Sequence, residues 1–528
     1  MPGPTPKKDA LVFAVAFFVL VWKAPDLERF LYNPDQGYQL SLGQQILLGR
    51  FPFVDLMFVY GPLTAFTSAG ALRIFDNLIG EILVSAFFYA ASLFLLHKLA
   101  YKHVTKLASW VVPVLGLFLL GRFHKWYVWF FPLAALYCFS RQLDDRDSSL
   151  RWWAVGGLVC GIGALYRLDY GLALCVFFSI LALSPRLTHC ADGTFWRQRC
   201  AVLVAAFLVP LLLWLGILGA VGGGSAIDNY FVATFEGGAG AVTDWSVPFP
   251  DFVVSDPFGL ASAQVLALFL LPLTYLICLG TGGWYGYLQS GEEVPRERFL
   301  AALGLVGLAI YPHGAYRADV SHLLQIVPPM LLAAPAVLSR GWRWARTRSD
   351  SLPPRMSRPL LAAVTIYAAL LGSTASLLQN PPGDLTSIES NPVARYRNLA
   401  RESGAVENST DVRAQIARQI GQRTNPDDPI LVIAYAPQLY YFTRRPLSGL
   451  LNAYFAGVHD DENTRLRNLE HVRRHPPALV VATSSFEQML ADNDFRRSQP
   501  ELYDFLANRY TTTIYSRGRW ALLGPGAN

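Results

Sequence analysis

Asn33-Pro34-Asp35-Gln36-Gly37-Tyr38 opens a stretch that continues through Gln39 to Leu48 and ends in Gly49-Arg50-Phe51-Pro52-Phe53-Val54-Asp55, followed by Tyr60-Gly61-Pro62-Leu63. Asn-Pro-Asp reads as a turn. The residues up to Leu48 carry the apolar spacing of a helix lying on a membrane surface, and Gly49 supplies its C-cap. Asp35 then sits at the N-terminus of an interfacial helix. A carboxylate there is held at the lipid–water boundary, where it can act on a substrate that is itself a lipid. A plain N-cap is the structural alternative for the same residue. The setting makes the stretch decisive, because apolar segments at 10–24 and 79–97 flank it and each approaches the length that crosses a bilayer.

Working outward, further apolar segments fall at about 107–121, 126–140, 152–166, 170–184, 201–221, 262–281, 299–312, 322–339 and 359–378, which makes roughly eleven helices in all. Several are short enough to be tilted or re-entrant. The first follows Lys7 and Lys8, but no small-x-small cleavage site appears in Trp22-Lys23-Ala24-Pro25-Asp26, so it reads as an uncleaved span. Composition agrees. Of 528 residues, 53% are hydrophobic and only 16% charged, against about a quarter charged in soluble proteins. A purely cytosolic enzyme does not fit such a chain.

Of the 44 basic residues, 37 are Arg, and their placement sets the sidedness. A cytoplasmic N-terminus puts Lys7 and Lys8, Lys98, Lys102 and Lys106, Arg141, Arg146 and Arg151, Arg186, Arg197 and Arg199, Arg296 and Arg298, and the Arg-rich loop from Arg340 to Arg358 on the inside, as the positive-inside rule requires. An odd number of spans leaves the C-terminal part outside. The expected organisation is a mostly α, polytopic transmembrane bundle over 1–379 and an extracytoplasmic soluble α/β domain over 380–528, in a bacterial plasma (inner) membrane. In the second part, 394–421 reads as helical, Pro429–Tyr435 and Pro477–Thr483 as buried strands, and Tyr510–Ser516 with Arg519–Leu523 as a hairpin. The six cysteines form no CxxC and have no His partner at zinc-ligand spacing, so they read as inert fillers.

The polar residues left outside the cytoplasmic loops share one side. Asp35 and Asp55 lie in the first outer loop, Arg122, His124 and Lys125 between spans three and four, and Arg167 and Asp169 between five and six. Asp228, Glu236, Asp244 and Asp251 lie between seven and eight, and His313, Arg317, Asp319 and His322 between nine and ten. Charge beside a span is costly and usually functional. Each group also has a bland reading: a helix-end ion pair for Arg167 and Asp169, interfacial snorkelling for His124 and Lys125, a solvated Gly-rich loop for the four acids.

The Asp soon after the first span, the helix ending Leu-Leu-Gly-Arg-Phe-Pro-Phe-Val-Asp, the Tyr-Gly-Pro-Leu that follows, and Pro-Ile-Leu-Val-Ile-Ala-Tyr-Ala-Pro-Gln-Leu-Tyr-Tyr-Phe-Thr-Arg-Arg-Pro from 429 to 446 together resemble the GT-C superfamily of polytopic glycosyltransferases. Within it they resemble the family 39 type, which includes the protein O-mannosyltransferases and the lipid A aminoarabinose transferase. The resemblance implies transfer of a sugar from a polyprenyl-phosphate donor, with inversion, at the outer face of the membrane. It maps the family's first-loop carboxylate onto Asp35 as general base. Many relatives have Asp-Glu there, whereas this chain has Asp35-Gln36, so Asp55 becomes the candidate for a supporting acid or a divalent-metal ligand.

The chemistry asks for the same groups. Displacing a polyprenyl phosphate builds negative charge on the phosphate and positive charge on the sugar ring. Arg122, Lys125, Arg167, His313, Arg317 and His322 are the candidate donor-phosphate contacts, with His124, Asp169 and Asp319 in support. The two histidines could donate protons or hydrogen bonds to the leaving group. The acceptor would be an envelope glycan, lipid or protein. Tyr435, Gln438, Tyr440 and Tyr441 offer stacking faces for it, or are core aromatics. No cofactor motif is present, and nothing points to nucleic acid. A transporter or flippase is the main rival, but it would place its charges at mid-span and often show an internal repeat.

Overall fold

The computed structural model describes residues 6–23, 34–120, 122–144, 150–184, 195–236, 260–288, 294–316, 319–349, 412–454, 458–483 and 495–526. Arg317, Asp244, Asp251, the expected span at 359–378 and the expected division at 379/380 lie outside these residues. The chain forms two compact units. The first comprises Met1–Lys23, Ser85–Leu212 and Val247–Ile388; the second comprises Ala24–Val84, Leu213–Ser246 and Glu389–Asn528.

The helices, in chain order, are α1 (Pro6–Lys23), α2 (Pro34–Leu47), α3 (Pro62–Phe75), α4 (Leu78–His103), α5 (Lys106–Phe118), α6 (Tyr127–Asp144), α7 (Arg151–Tyr166), α8 (Leu168–Ala182), α9 (Phe195–Phe231), α10 (Leu260–Leu288), α11 (Val294–Ala315), α12 (Pro328–Ser349), α13 (Val412–Arg423), α14 (Gln438–Thr443), α15 (Glu462–Arg474) and α16 (Pro500–Arg509). Among the described residues four helical stretches are long and apolar enough to cross a membrane: Leu78–His103, Phe195–Phe235, Ala261–Trp284 and Pro295–Ala315. Asp9–Trp22, Lys106–Phe118 and Leu168–Ala182 are shorter apolar helices. Helices are the form such runs must take, because lipid offers the backbone no hydrogen-bond partner.

In the first unit α10 packs along α11, and α6, α7 and α8 pack in succession. Small residues set the spacing. A Cβ at Gly157 would lie 2.2 Å from the Leu203 carbonyl oxygen and one at Gly161 2.4 Å from that of Phe207, so this Gly-x-x-x-Gly face lets α9 approach at backbone contact. Large apolar side chains such as Leu107, Trp110, Leu212 and Phe269 stay exposed, as lipid-facing positions do.

One expected span is corrected. Residues 322–339 do not form one helix: a single turn, Val320–Leu323, is followed by an interruption before α12 starts at Pro328. Pro328 and Pro329 lack the N–H groups that a continuous helix would need, and Pro is favoured where a helix begins. The carbonyls exposed by the break are taken up by side chains, since Trp129 Nε1 donates to Leu324 O (3.0 Å) and Tyr275 Oη to Ile326 O (3.0 Å). Buried irregular backbone needs partners of this kind.

In the second unit the run Ile430–Val432 is β1 and Leu479–Thr483 is β2; Thr512–Arg517 (β3) and Trp520–Gly524 (β4) make the hairpin expected around Gly518. The sheet order is β1-β2-β4-β3. β1 and β2 are parallel, with Leu431 opposite Val480, and α15 lies between them in the chain. β4 runs antiparallel to β2, with Leu522 opposite Val481. Parallel pairing demands a crossover, and the amphipathic α15 supplies it, burying Leu469 and Val472.

Helix α2 differs from its sequence reading as a surface helix. Residues from Gln36 to Gly43 are buried, and α2 packs against α3 and α14. Its polar residues face protein: Gln45 Nε2 donates to Arg445 O (3.0 Å) and Gln45 Oε1 accepts from Leu447 N (2.9 Å), while Asn452 Nδ2 donates to Tyr38 O (3.2 Å). Paired this way, amides are compatible with full burial. Gln438, Tyr440 and Tyr441 are buried too, and Tyr440 Oη accepts the Val432 N–H (2.9 Å), so these three are core rather than stacking faces.

Candidate functional site

The first unit gathers most of the residues singled out above at one end of its helices. A 3₁₀ turn, Phe123–Lys125, precedes α6 and buries both His124 and Lys125. Tyr89 Oη donates to Arg122 O (3.1 Å) and Tyr170 Oη to Val128 O (3.0 Å), which ties this turn to α4 and α8. At the α7–α8 junction Arg167 Nε and Nη2 donate to the two oxygens of Asp169, each at 3.0 Å. That bidentate pair matches the fork of the guanidinium, and it answers the ion-pair reading of these two residues. His313, near the end of α11, places Nδ1 3.9 Å from Asp169 Oδ2, and its Nε2 lies 3.2 Å from Gln325 Oε1. Tyr170 meets the His313 ring edge-on at 5.3 Å.

The turn after α11 completes the group. The Asp319 carboxylate caps the Val320–Leu323 turn by accepting the His322 N–H (3.1 Å) and also accepts from His322 Nδ1 (2.7 Å). Lys125 acts electrostatically on both His313 and His322, and Arg122 on His322, so the residues from the three loops share one neighbourhood.

Burial and the neighbouring cations govern the imidazoles. Burial, with Lys125 and Arg122 added to it, holds His124 well below the usual histidine range. Burial also pulls His322 down to about 4, against the Asp319 hydrogen bond, with Lys125 and Arg122 reinforcing the fall. At neutral pH His322 is therefore uncharged. A carboxylate can only accept, so Nδ1 carries the proton and Nε2 presents a lone pair. In this arrangement the imidazole presents an acceptor at Nε2.

Asp35 and Asp55 belong to the second unit. Asp35 lies in the first turn of α2, partly buried, and the Tyr435 hydroxyl donates to its Oδ1. A Cβ at Gly37 would sit 2.6 Å from Gln438 Cβ and 2.9 Å from its backbone N, so only a glycine lets α2 lie this close to α14. Asp55 instead closes its own loop: its Oδ2 accepts the Phe51 N–H (3.0 Å). Next to it, Arg50 donates to Gly449 O (2.9 Å) and Leu447 O, and burial lowers its pKa. The loop passes Phe53 at φ 63 and is pinned there by Asn229 Nδ2, which donates to Phe53 O (2.7 Å).

Sequence reasoning missed Gln325, Tyr170, Gln45, Arg50, Asn229 and Asn452. The amides left a signal, in polar residues on helices that should otherwise be apolar; Tyr170 left none that separates it from other aromatics. Among the described residues no three His, Cys, Asp or Glu side chains are grouped to hold a metal ion. Asp228 is exposed.

The fold has solved counterparts. The archaeal oligosaccharyltransferase AglB of Archaeoglobus fulgidus, in complex with an inhibitory peptide and a dolichol-phosphate, matches 98% of this chain and 74% of its own at 13% identity with a TM-score of 0.50. The chain has the GT-C fold. ArnT of Cupriavidus metallidurans bound to undecaprenyl phosphate is also similar to the chain, at 14% identity over 98% of both chains and a TM-score of 0.47. No protein-family model and no curated protein sequence matches it.

Proposed function

We propose that the chain is an integral-membrane glycosyltransferase that moves a sugar from a polyprenyl-phosphate donor to a cell-envelope glycan, lipid or protein, with inversion. The observation that carries this reading is the joining of Arg122, Lys125, Arg167 and His313 into one neighbourhood within a GT-C fold. The archaeal oligosaccharyltransferase of that fold was solved with a dolichol-phosphate, a ligand of the same class as the proposed donor.

In the proposed reaction Asp35, positioned by Tyr435, takes the proton from the acceptor nucleophile as its lone pair attacks the anomeric carbon. The bond from that carbon to the phosphate oxygen breaks with its electron pair, and polyprenyl phosphate departs with one more negative charge. Lys125, Arg122, Arg317 and Arg167 compensate that charge, with Asp169 holding the Arg167 fork in place until the phosphate arrives. Asp319 and Gln325 orient the two imidazoles, and an incoming phosphate favours protonation of His322. His124 lies beside Lys125 as a supporting residue. Asp55 shapes the loop that follows α2. The assignment places the reaction at the outer face of a bacterial inner membrane, with the N-terminus cytoplasmic and the region from 380 to 528 outside.

The test offers purified protein a panel of polyprenyl-phosphate sugars and follows release of polyprenyl phosphate. Wild type should turn over one of them, and Asp35→Asn should abolish transfer while insertion into the membrane is unchanged. Wild-type activity in Asp35→Asn would sink the assignment of the base.

A further inference from the structure

The second unit carries two histidines, one helical turn apart, that the proposed transfer does not use. They stand at the end of α15, in the run His471-Val472-Arg473-Arg474-His475. Residues four apart share a helix face, and here the two rings meet with centroids 4.6 Å apart and planes inclined by 36°. His475 is exposed and His471 half-buried, so the pair sits at the surface of the unit.

What the rings touch fixes their protons. His471 Nδ1 lies 2.9 Å from Ser448 O, and His475 Nδ1 lies 3.2 Å from His471 O. A carbonyl oxygen only accepts, so Nδ1 is the donor in both rings and each neutral imidazole presents its lone pair at Nε2. Neither Nε2 has a hydrogen-bond partner among the described residues. Ser448 holds both residues at once: its carbonyl takes the His471 N–H, and its buried side chain donates from Oγ to His475 O (2.6 Å). An Nδ1–H tied to a backbone carbonyl is the arrangement that orients a metal-ligating imidazole and raises its basicity.

The surrounding charges leave the pair open to a cation. Burial lowers the His471 pKa, against the Ser448 hydrogen bond, so that ring is neutral at pH 7, as a ligand must be. From the loop after α2, Arg50 opposes positive charge at His471 and Asp55 favours it. On α15 itself Arg474 pairs with Glu470 (2.9 Å), and the Arg473 guanidinium lies 5.9 Å from the centre of the Phe505 ring. Imidazole nitrogens suit Cu(II), Ni(II) and Zn(II), whereas Mg(II) and Ca(II) call for oxygen ligands. Two histidines four apart on a helix have the spacing that grips an ion of the first kind.

We propose that His471 and His475 bind one late first-row divalent metal ion through their Nε2 atoms, with water completing its coordination. The bound ion spans the last turn of α15 and, through His471 and Ser448, reaches the loop that Arg50 also holds. Neither histidine takes part in the proposed transfer, so the metal site and the glycosyltransferase reading stand or fall separately.

The test titrates copper(II) at neutral pH into the full chain in detergent, prepared without a polyhistidine tag. Electron paramagnetic resonance reads the ligand nitrogens, and competition with a chelator of known affinity reads the strength of binding. Wild type should take up copper with coupling to two nitrogens. His475→Gln and His471→Gln should each weaken binding at least about 10-fold and leave a single nitrogen in the spectrum. His475 is exposed, so His475→Gln decides the matter if His471→Gln does not fold. Magnesium should not displace the copper. No uptake by wild type, coupling to one nitrogen only, an affinity unchanged in His475→Gln, or displacement by magnesium at matched concentration would each overturn the proposal.

Discussion

The Tyr435 hydroxyl donates a hydrogen bond to the carboxylate of Asp35, two residues 400 positions apart in the chain. The contact fixes the carboxylate in one orientation and removes one of its lone pairs from competition. Tyr435→Phe is expected to lower the transfer rate by roughly 10-fold, the worth of one charge-assisted hydrogen bond, with the apparent KM for the lipid donor little changed. Steady-state kinetics in both substrates checks this, and a change confined to KM would show that Tyr435 acts on binding instead.

Gly37 offers a matched pair with Gly70. A methyl at Gly37 would collide with Gln438, while one at Gly70 meets nothing within 4 Å. Gly37→Ala should cost about 1–3 kcal/mol and reduce activity, because it pushes α2 and Asp35 from their seat. Gly70→Ala, on the exposed face of α3, should be neutral or stabilise by up to about 1 kcal/mol. Thermal unfolding of the two variants side by side gives the answer.

Arg167 is the cation whose geometry is best defined. Arg167→Lys keeps the charge and loses the fork, so the apparent KM for a polyprenyl-phosphate sugar should rise about 10-fold. An unchanged KM in Arg167→Lys would place the phosphate away from the α7–α8 junction.

Burial of His322 makes stability depend on pH. Its folded pKa, about 4, lies below the unfolded value of about 6.5, so the unfolded chain binds the extra proton first. The contribution is fully present above about 6.5, falls as pH drops from there, and is lost by about pH 4, for a total near 3 kcal/mol. His459, also buried and also drawn down to about 4, contributes in the same window. Unfolding temperature should therefore decline between pH 6.5 and 4. In His322→Gln the decline should be shallower, and an identical slope would show that the imidazole is not buried in the folded state.

Gln45 is expected to matter to stability more than its residue type suggests. Gln45→Leu keeps the volume but leaves Arg445 O and Leu447 N unsatisfied, at a cost of roughly 2–4 kcal/mol. Denaturant or thermal unfolding should show the loss, and Gln45→Glu should not restore it, since Glu cannot donate to the Arg445 carbonyl.

The sequence alone determined the helical class and the positions of most of the apolar helices, because lipid forces any long apolar run to satisfy its own backbone. It also determined the strands at 430–432 and 479–483 and the terminal hairpin, where short apolar runs and Gly518 leave few alternatives. For the candidate site it showed which inter-helix loops hold charge, since charge near an apolar span is costly. Only the tertiary structure decided what those charges do. It paired Arg167 with Asp169, set His322 against the Asp319 carboxylate, broke the helix before Pro328 and sent Gln45 and Tyr435 to opposite sides of one long-range interface. Such contacts join residues hundreds of positions apart. Local periodicity carries no record of them, because the energy that selects them arises when buried polar groups find partners after the chain has folded.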